Sequence, residues 1–320
     1  MSRPTLGDVL EARKTIAAFL SRTPLYSYPQ INRLVGTEVY IKHEDHQPTR
    51  SFKVRGGINF LAHLSPEMRK KGVITASTGN HALSIAYACR LFAVEATIVM
   101  PQGANPVKVM AVENLGAKVV FYGKIFEEAK EFAERVAAEK GIRFIHPANE
   151  PWLIAGVATY ALEIFEDQPQ IEAIIVPVGG GSGASGCCLV KEALGKRAKV
   201  IGVQAAKAPA AYLSWKEKKI VTASMATVAE GLQTKMGYEL TQSILWDLLD
   251  DFILVTDEEM EESIWLYLEN IRTLTEHAGA SPLAAALKMK DQLKGRKIAL
   301  ILSGGNLSPN SLRHLLLKFS

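Results

Sequence analysis

Short apolar runs alternate with stretches of helical period along almost the whole chain. The runs Glu38–Lys42, Gly72–Ala76, Glu95–Met100, Lys118–Tyr122, Ala173–Val178, Lys199–Val203, Phe252–Val255 and Lys297–Leu302 are rich in Val and Ile and nearly continuous in apolar character. Strands buried on both faces of a parallel sheet read this way. Helical periods lie between them, for example Glu127–Ala138, and Glu258–Arg272 behind an Asp257 cap signal. This alternation predicts parallel α/β layers. No long linker, low-complexity tract or fixed-period repeat interrupts it.

Composition narrows the class. The length of 320 residues gives a prior of roughly two domains. With 48% hydrophobic and 22% charged residues, the chain reads as a soluble globular enzyme and not as a disordered one. A net charge of +4, scattered along the sequence, argues against a nucleic-acid partner. No stretch reaches the length of about 18 apolar residues that a membrane span needs. Asp8 and Glu11 precede any apolar run, unlike a signal peptide. Cys89, Cys187 and Cys188 form neither a disulfide framework nor a zinc spacing, and no His pattern supplies a metal site. A reducing, cytoplasmic setting is expected.

Four segments carry candidate chemistry. In Ser51-Phe52-Lys53-Val54-Arg55-Gly56-Gly57, Lys53 opens an amphipathic helix among apolar neighbours. Desolvation there would lower its pKa and make it a Schiff-base nucleophile, although a lone lysine is more often simply exposed. Ala76-Ser77-Thr78-Gly79-Asn80-His81 lies between a strand and a helix expected over Ala82–Phe92. Unpaired N–H groups at such a helix start suit a carboxylate, and an ordinary N-cap is the plainer reading. Pro177–Gly186 joins a buried strand to a helix expected over Cys187–Leu194. So much glycine in a βα turn suits a backbone wrapped around an anion, and phosphate is favoured by about five to one. Leu302-Ser303-Gly304-Gly305-Asn306 follows the last strand, at a carboxyl end where open α/β sheets keep ligands.

Two competing readings fail. Gly181, Gly183 and Gly186 spell G-x-G-x-x-G, but the next strand ends Val203-Gln204-Ala205-Ala206-Lys207 without the acid that would hold a dinucleotide ribose. Gly180–Ala184 approaches a nucleophile elbow but ends in alanine.

Taken in order, Ser51–Gly57, Ser77–His81, Gly179–Ser182 and Ser303–Asn306 resemble the motif set of the fold-type II pyridoxal-phosphate enzymes. The threonine/serine dehydratases and serine racemase are the nearest look-alikes, from about Thr5 to Asn306. Val54 after Lys53 matches those two groups, whereas cysteine and threonine synthases usually carry an acid there. The resemblance implies the tryptophan synthase β-like fold: two open, twisted, mostly parallel α/β domains with the cofactor in the cleft. The large cofactor-binding domain would be 1–71 and 150–320, and the small one 72–149. By resemblance Lys53 would hold pyridoxal 5′-phosphate as a Schiff base and, once freed, remove the substrate's α-proton. Phe52 would flank the ring, Asn80 would bond its 3′-oxygen, and Gly179, Gly180, Gly181, Ser182 and Gly183 would cradle the phosphate. Ser303 would face the ring nitrogen, and Glu276 would lie near the ring. Ser77, Thr78, Gly79, Asn80 and His81 would hold the substrate carboxylate. No resident metal is implied, because Gln204 and Ala210 stand where the racemases' acidic site would be.

The implied activity is α,β-elimination of L-threonine or L-serine to a 2-oxo acid and ammonia. A non-allosteric type is expected, since too little chain follows Asn306 for a regulatory domain. The alternatives are a serine racemase, with Lys53 and Thr78 as the two bases, and a phosphate or cofactor binder without catalysis. A homodimer is expected from the family habit. Arg50 departs from the family's usual glycine and places a cation near the site mouth, and Gly156-Val157-Ala158-Thr159 replaces Gly-Gln-Gly-Thr.

Overall fold

The computed structural model describes residues 2–319. Ten strands are formed: β1 Leu25–Ser27, β2 Glu38–His43, β3 Val73–Ala76, β4 Ala96–Met100, β5 Lys118–Phe121, β6 Arg143–Phe144, β7 Ala173–Pro177, β8 Lys199–Ala205, β9 Asp251–Val255 and β10 Lys297–Leu302. They make a six-stranded sheet in the order β1-β2-β10-β7-β8-β9 and a four-stranded sheet in the order β5-β4-β3-β6. Every pairing is parallel except β1 with β2. The eight strands expected from apolar runs are present to within one or two residues at each end.

Each sheet reverses its winding direction once, and those reversals place the ligand loops. In the small sheet β4 and β5 follow on one side of β3 and β6 lies on the other. In the large sheet β8 and β9 follow on one side of β7 and β10 lies on the other. Loops leaving adjacent strands at such a point diverge, opening a crevice beyond their carboxyl ends. β3 leads into Ser77–Asn80, β7 into Gly179–Ser182 and β10 into Ser303.

The helix Lys53–Ala62 is wedged between the helices Asn80–Phe92 and Pro151–Asp167. Val54, Ile58 and Leu61 are fully buried on it, each worth about 1.5–3 kcal/mol of burial. Two glycines allow the wedge. A Cβ on Gly56 would come within 2.8 Å of the Leu153 carbonyl oxygen, and one on Gly57 within 2.8 Å of the Ser84 carbonyl oxygen.

A buried charge cluster fixes the same helix. Arg55 donates to Glu44 from Nε at 2.8 Å and to Glu163 from Nη1 at 2.7 Å. Lys42 donates to Glu163 at 2.6 Å and to the Thr23 carbonyl at 2.7 Å. Two cations and two anions, all nearly inaccessible, thereby tie β2, the Lys53 helix and the Pro151 helix together. Thr159, the residue kept from the family's Gly-Gln-Gly-Thr, donates to the Gly156 carbonyl and accepts from Arg55.

Three local expectations are corrected. The helix Asp257–Ile271 is capped by Thr256 in a capping box with Glu259, so Asp257 is already its first residue. The helix after β7 begins at Ser182, five residues before Cys187, so much of the glycine-rich run is helix and not loop. The helix after β3 begins at Asn80, not Ala82. Among the described residues no helix is long and apolar enough to cross a membrane.

Candidate active site

The two crevices face each other and merge into one cavity of about 580 Å³. Phe52, Lys53, Ser77, Thr78, Gly79, Asn80, His81, Gly179, Gly180, Gly181, Ser182, Gly183, Glu276 and Ser303 all line it. The fold therefore gathers every one of the predicted site residues from distant segments of the chain.

Lys53 lies on the cavity floor at the start of its helix. Its Nζ donates to Ser182 Oγ at 3.1 Å and to the Pro147 carbonyl at 3.4 Å, and sits 5.2 Å from the centre of the Phe52 ring. Among the described residues no carboxylate bonds it, and burial lowers its pKa to about 8. The free-base amine, the form that attacks an aldehyde, is correspondingly accessible near neutral pH.

The glycine turn is shaped by contact on all sides. Gly181 has φ 90° and caps the helix Ser182–Ala193, a left-handed position that favours glycine. Thr241 donates to the Gly180 carbonyl at 2.8 Å and holds the turn. A Cβ on Gly179 would strike the Gly231 carbonyl oxygen, one on Gly180 would come within 3.0 Å of Ala148 Cβ, and one on Gly183 within 2.8 Å of Tyr160 Oη. The result is a bare backbone cradle at a helix N-terminus, where unpaired N–H groups and the helix dipole favour a phosphate. Gly186 serves another purpose, since a Cβ there would press within 2.8 Å of Ala158 Cα on the neighbouring helix.

The opposite wall is the start of the helix Asn80–Phe92. Ser77 Oγ accepts from the amides of Gly79 and Ala82, both at 3.2 Å. Asn80 donates from Nδ2 to Glu276 at 2.7 Å and accepts at Oδ1 from Asn306 at 2.7 Å. One Asn80 N–H remains for a ligand. Desolvation raises the Glu276 pKa to about 7, against the lowering effect of the Asn80 bond. Thr75 Oγ1 donates to the Ile145 carbonyl at 2.7 Å and so accepts from His81 Nε2 at 3.1 Å. Burial, then the nearby charges of Lys53 and His146, push His81 down to about 3, leaving it neutral. Ser303 is buried and neutral, and its carbonyl accepts from the Phe52 amide at 3.1 Å.

This constellation suits a phosphorylated aldehyde: a desolvated amine, a backbone anion cradle beside it, a neutral hydroxyl and an orienting amide. A sequence profile for pyridoxal-phosphate dependent enzymes matches residues 16–304. The chain belongs to the pyridoxal-phosphate-dependent enzyme family. It is 40% identical over 315 residues to the L-threonine ammonia-lyase of Thermotoga maritima, covering 98% of this chain and 78% of that relative. It is 36% identical over 304 residues to the L-threo-3-hydroxyaspartate ammonia-lyase of Saccharomyces cerevisiae, covering 95% of this chain and 93% of that one. The solved serine racemase of Dictyostelium discoideum superposes with a TM-score of 0.90 at 34% identity, over 96% of this chain and all of that one. The tryptophan synthase β-like α/β fold expected of this pyridoxal-phosphate family is the one observed.

Several lining residues escape sequence reasoning. Lys108, on the helix Pro106–Glu113, pairs across the cleft with Glu230; both line the cavity, as does Tyr238. Nothing local marks them, because each becomes part of the site only through a distant fold contact. Arg50, for which both a contact with a substrate carboxylate and plain exposure to solvent stood open, is exposed. Its backbone is left-handed at φ 56°, which accounts for the family's glycine there. Its guanidinium lies against Gly305 and not among the cavity walls. Gln204 is engaged structurally, accepting from the Tyr212 amide at 2.9 Å and donating to Thr234 at 3.3 Å.

Proposed function

We propose that this family member is an ammonia-lyase acting on L-threonine or L-serine, releasing a 2-oxo acid and ammonia. The observation that carries the reading is the desolvated Lys53 amine at the phosphate cradle, between walls that bear Ser77–His81 and Ser303. The names of the curated ammonia-lyases at 36% and 40% identity support it.

Bound pyridoxal phosphate supplies an electron sink that acidifies the α-C–H of an attached amino acid. The other work falls to the chain. The amides of Gly179–Gly183 and the Ser182 hydroxyl would hold the phosphate. Phe52 would pack beside the ring, and Asn80, oriented by Glu276 and Asn306, would offer its remaining N–H to the 3′-oxygen. Ser303 would offer the ring nitrogen a neutral hydroxyl in place of a carboxylate. The Thr78, Asn80 and His81 amides at this helix start hold the substrate carboxylate, the Ser77 and Gly79 amides being bonded to Val99 and to Ser77 Oγ, and this sets the α-C–H towards Lys53. Lys53 takes that proton as a base, and the hydroxyl leaves with a proton as water. Hydrolysis then consumes one water, so the net products are the 2-oxo acid and ammonia. The segment 72–149 acts as a small domain closing on the rest of the chain over the substrate. Three free, buried cysteines suit a reducing cytoplasm. A homodimer is the proposed assembly, to be read by sedimentation.

Racemisation is the second reading, favoured by the presence of Thr78, a hydroxyl-bearing residue, in the cavity lining. Proton NMR in D2O with L-threonine and L-serine separates the readings. The expected result is 2-oxobutyrate or pyruvate with little α-deuterated amino acid. Loss of the α-proton signal without oxo acid would move the assignment to racemisation. Bound cofactor with no change in either substrate would leave a binding role, and full activity in Lys53→Ala would remove both enzymatic readings.

A further inference from the structure

A second cluster lies outside the cleft, at the end of β2. His43 closes that strand, and Asp45 and His46 follow on the single turn Glu44–His46. Neither histidine stands in a common metal-ligand spacing in the sequence. The fold brings one ligand atom from each of His43, Asp45 and His46 within 4.8 Å of one another. His43 Nδ1 lies 3.2 Å from Asp45 Oδ1, and His46 Nε2 lies 3.8 Å from Asp45 Oδ2. The two imidazole rings are 4.8 Å apart with a 35° tilt. His43 and Asp45 are buried, whereas His46 is 46% exposed and offers a way in.

At 3.2 Å the imidazole nitrogen and the carboxylate oxygen share either the hydrogen of an Nδ1–H tautomer or a metal ion. The 3.2 Å gap between His43 and Asp45 suits a metal, since two ligands each about 2.0–2.1 Å from one ion lie roughly 2.9 Å apart at a right angle and roughly 3.4 Å apart at a tetrahedral one; the 3.8 Å gap to the exposed His46 would have to close on binding. The other nitrogen of His43 is 3.0 Å from the Tyr28 hydroxyl, and metal-bound histidines are commonly oriented by such a partner.

We propose that His43, Asp45 and His46 bind one divalent transition-metal ion, with Zn2+ the expected occupant, and that the ion braces the turn leading into Lys53. Two imidazoles and one carboxylate select Zn2+, Co2+ or Ni2+ over Mg2+ and Ca2+. Three protein ligands leave a position for water. The chain between Asp45 and Lys53 includes the left-handed Arg50 and touches the segment after β10 through a bridge from Ser51 to Gly304. Fixing its start limits the freedom of the catalytic turn without placing the ion in the cleft.

The test uses the chelator-treated holoenzyme, titrated with Co2+ by visible absorbance and with Zn2+ by calorimetry. One equivalent per chain is expected, with Co2+ ligand-field bands and a higher unfolding temperature. His46→Ala, a change at an exposed position, should weaken both metals at least tenfold while leaving the cofactor spectrum intact. His314→Ala, at another exposed histidine, should change nothing. Asp45→Asn should behave as His46→Ala does if it folds. Absence of saturable binding at millimolar metal, or binding unaffected by His46→Ala, would overturn the proposal and leave only a proton between His43 and Asp45. Because the readouts are metal binding and stability, the result is independent of whether the substrate is threonine.

Discussion

Glu163→Gln removes one charge from the cluster behind Lys53 and tests whether that cluster acts as a unit. In the wild type, desolvation works to raise the Glu163 pKa, but Arg55 and then Lys42 outweigh it and hold it low. Lys42 is lowered by desolvation and supported chiefly by Glu163. The amide that replaces the carboxylate would keep the shape and an acceptor oxygen but lose the charge, so Lys42 would stand buried with neutral acceptors and no anion nearer than Glu44. Breaking one partner of a buried pair costs about 3–5 kcal/mol. At about 2.1 cal/mol/K of unfolding entropy per residue, a chain of this length loses roughly 4–7 °C in unfolding temperature at pH 7. The deficit should shrink as pH rises. Lys42 is already lowered in the wild type and loss of Glu163 lowers it further, so between the variant's and the wild type's folded pKa values only the variant binds fewer protons folded than unfolded and gains stability with pH. Each pH unit in that window restores up to about 1.4 kcal/mol. Thermal unfolding followed by circular dichroism at pH 7 and pH 9.5 reads both effects. A variant within about 1 kcal/mol of wild type at pH 7, or an equal deficit at both pH values, would refute the reasoning.

Other consequences can be measured on the same protein. Capture of pyridoxal phosphate by the apoenzyme requires the unprotonated Lys53 amine; with its pKa lowered to about 8, the rate should climb with pH and level off above about 8, as followed by the absorbance of the bound cofactor, whereas an ordinary lysine would keep climbing past pH 10. Gly181→Ala puts a side chain at φ 90° and within 3.0 Å of Thr241; cofactor affinity should fall at least tenfold in equilibrium dialysis. Glu276 has a folded pKa raised to about 7, so the apoprotein binds more protons folded than unfolded between about pH 4.5 and 7 and loses stability across that interval. Glu276→Gln should flatten this part of the denaturation profile while keeping an acceptor for Asn80.

The parts of the fold that were legible in the sequence are those in which local chemistry is continuous. Eight strands stand out because burial on both faces demands unbroken apolar runs. β1 and β6 do not, because Leu25–Ser27 and Arg143–Phe144 are too short to form a run and are partly exposed or polar. Asp257 competed with Thr256 as a cap because both side chains can accept from the first turn, and only the capping box with Glu259 separates them. The helix start at Ser182 was obscured by Gly183 and Gly186, which suggest a loop in isolation and are helix residues chosen for close packing against Tyr160 and Ala158. At the site, Lys53, Asn80, the glycine turn and Ser303 sit in motifs and could be found. Lys108, Glu230 and Tyr238 could not, because their place depends on how the sheets face each other.

The position of β10 has a consequence for synthesis. This strand, Lys297–Leu302, is the last of the ten in chain order and yet lies between β2 and β7 in the interior of its sheet. Beyond it, Gly304 meets Ser51, and Ser303 accepts from the Phe52 amide. The lysine-bearing turn is thus made early on the ribosome but acquires one wall of its pocket only after residue 304 has emerged. Such pairings between distant segments form late. A nascent chain shorter than this would hold an amine with no finished cavity around it, so cofactor capture becomes a natural reporter that translation has run to the final strand.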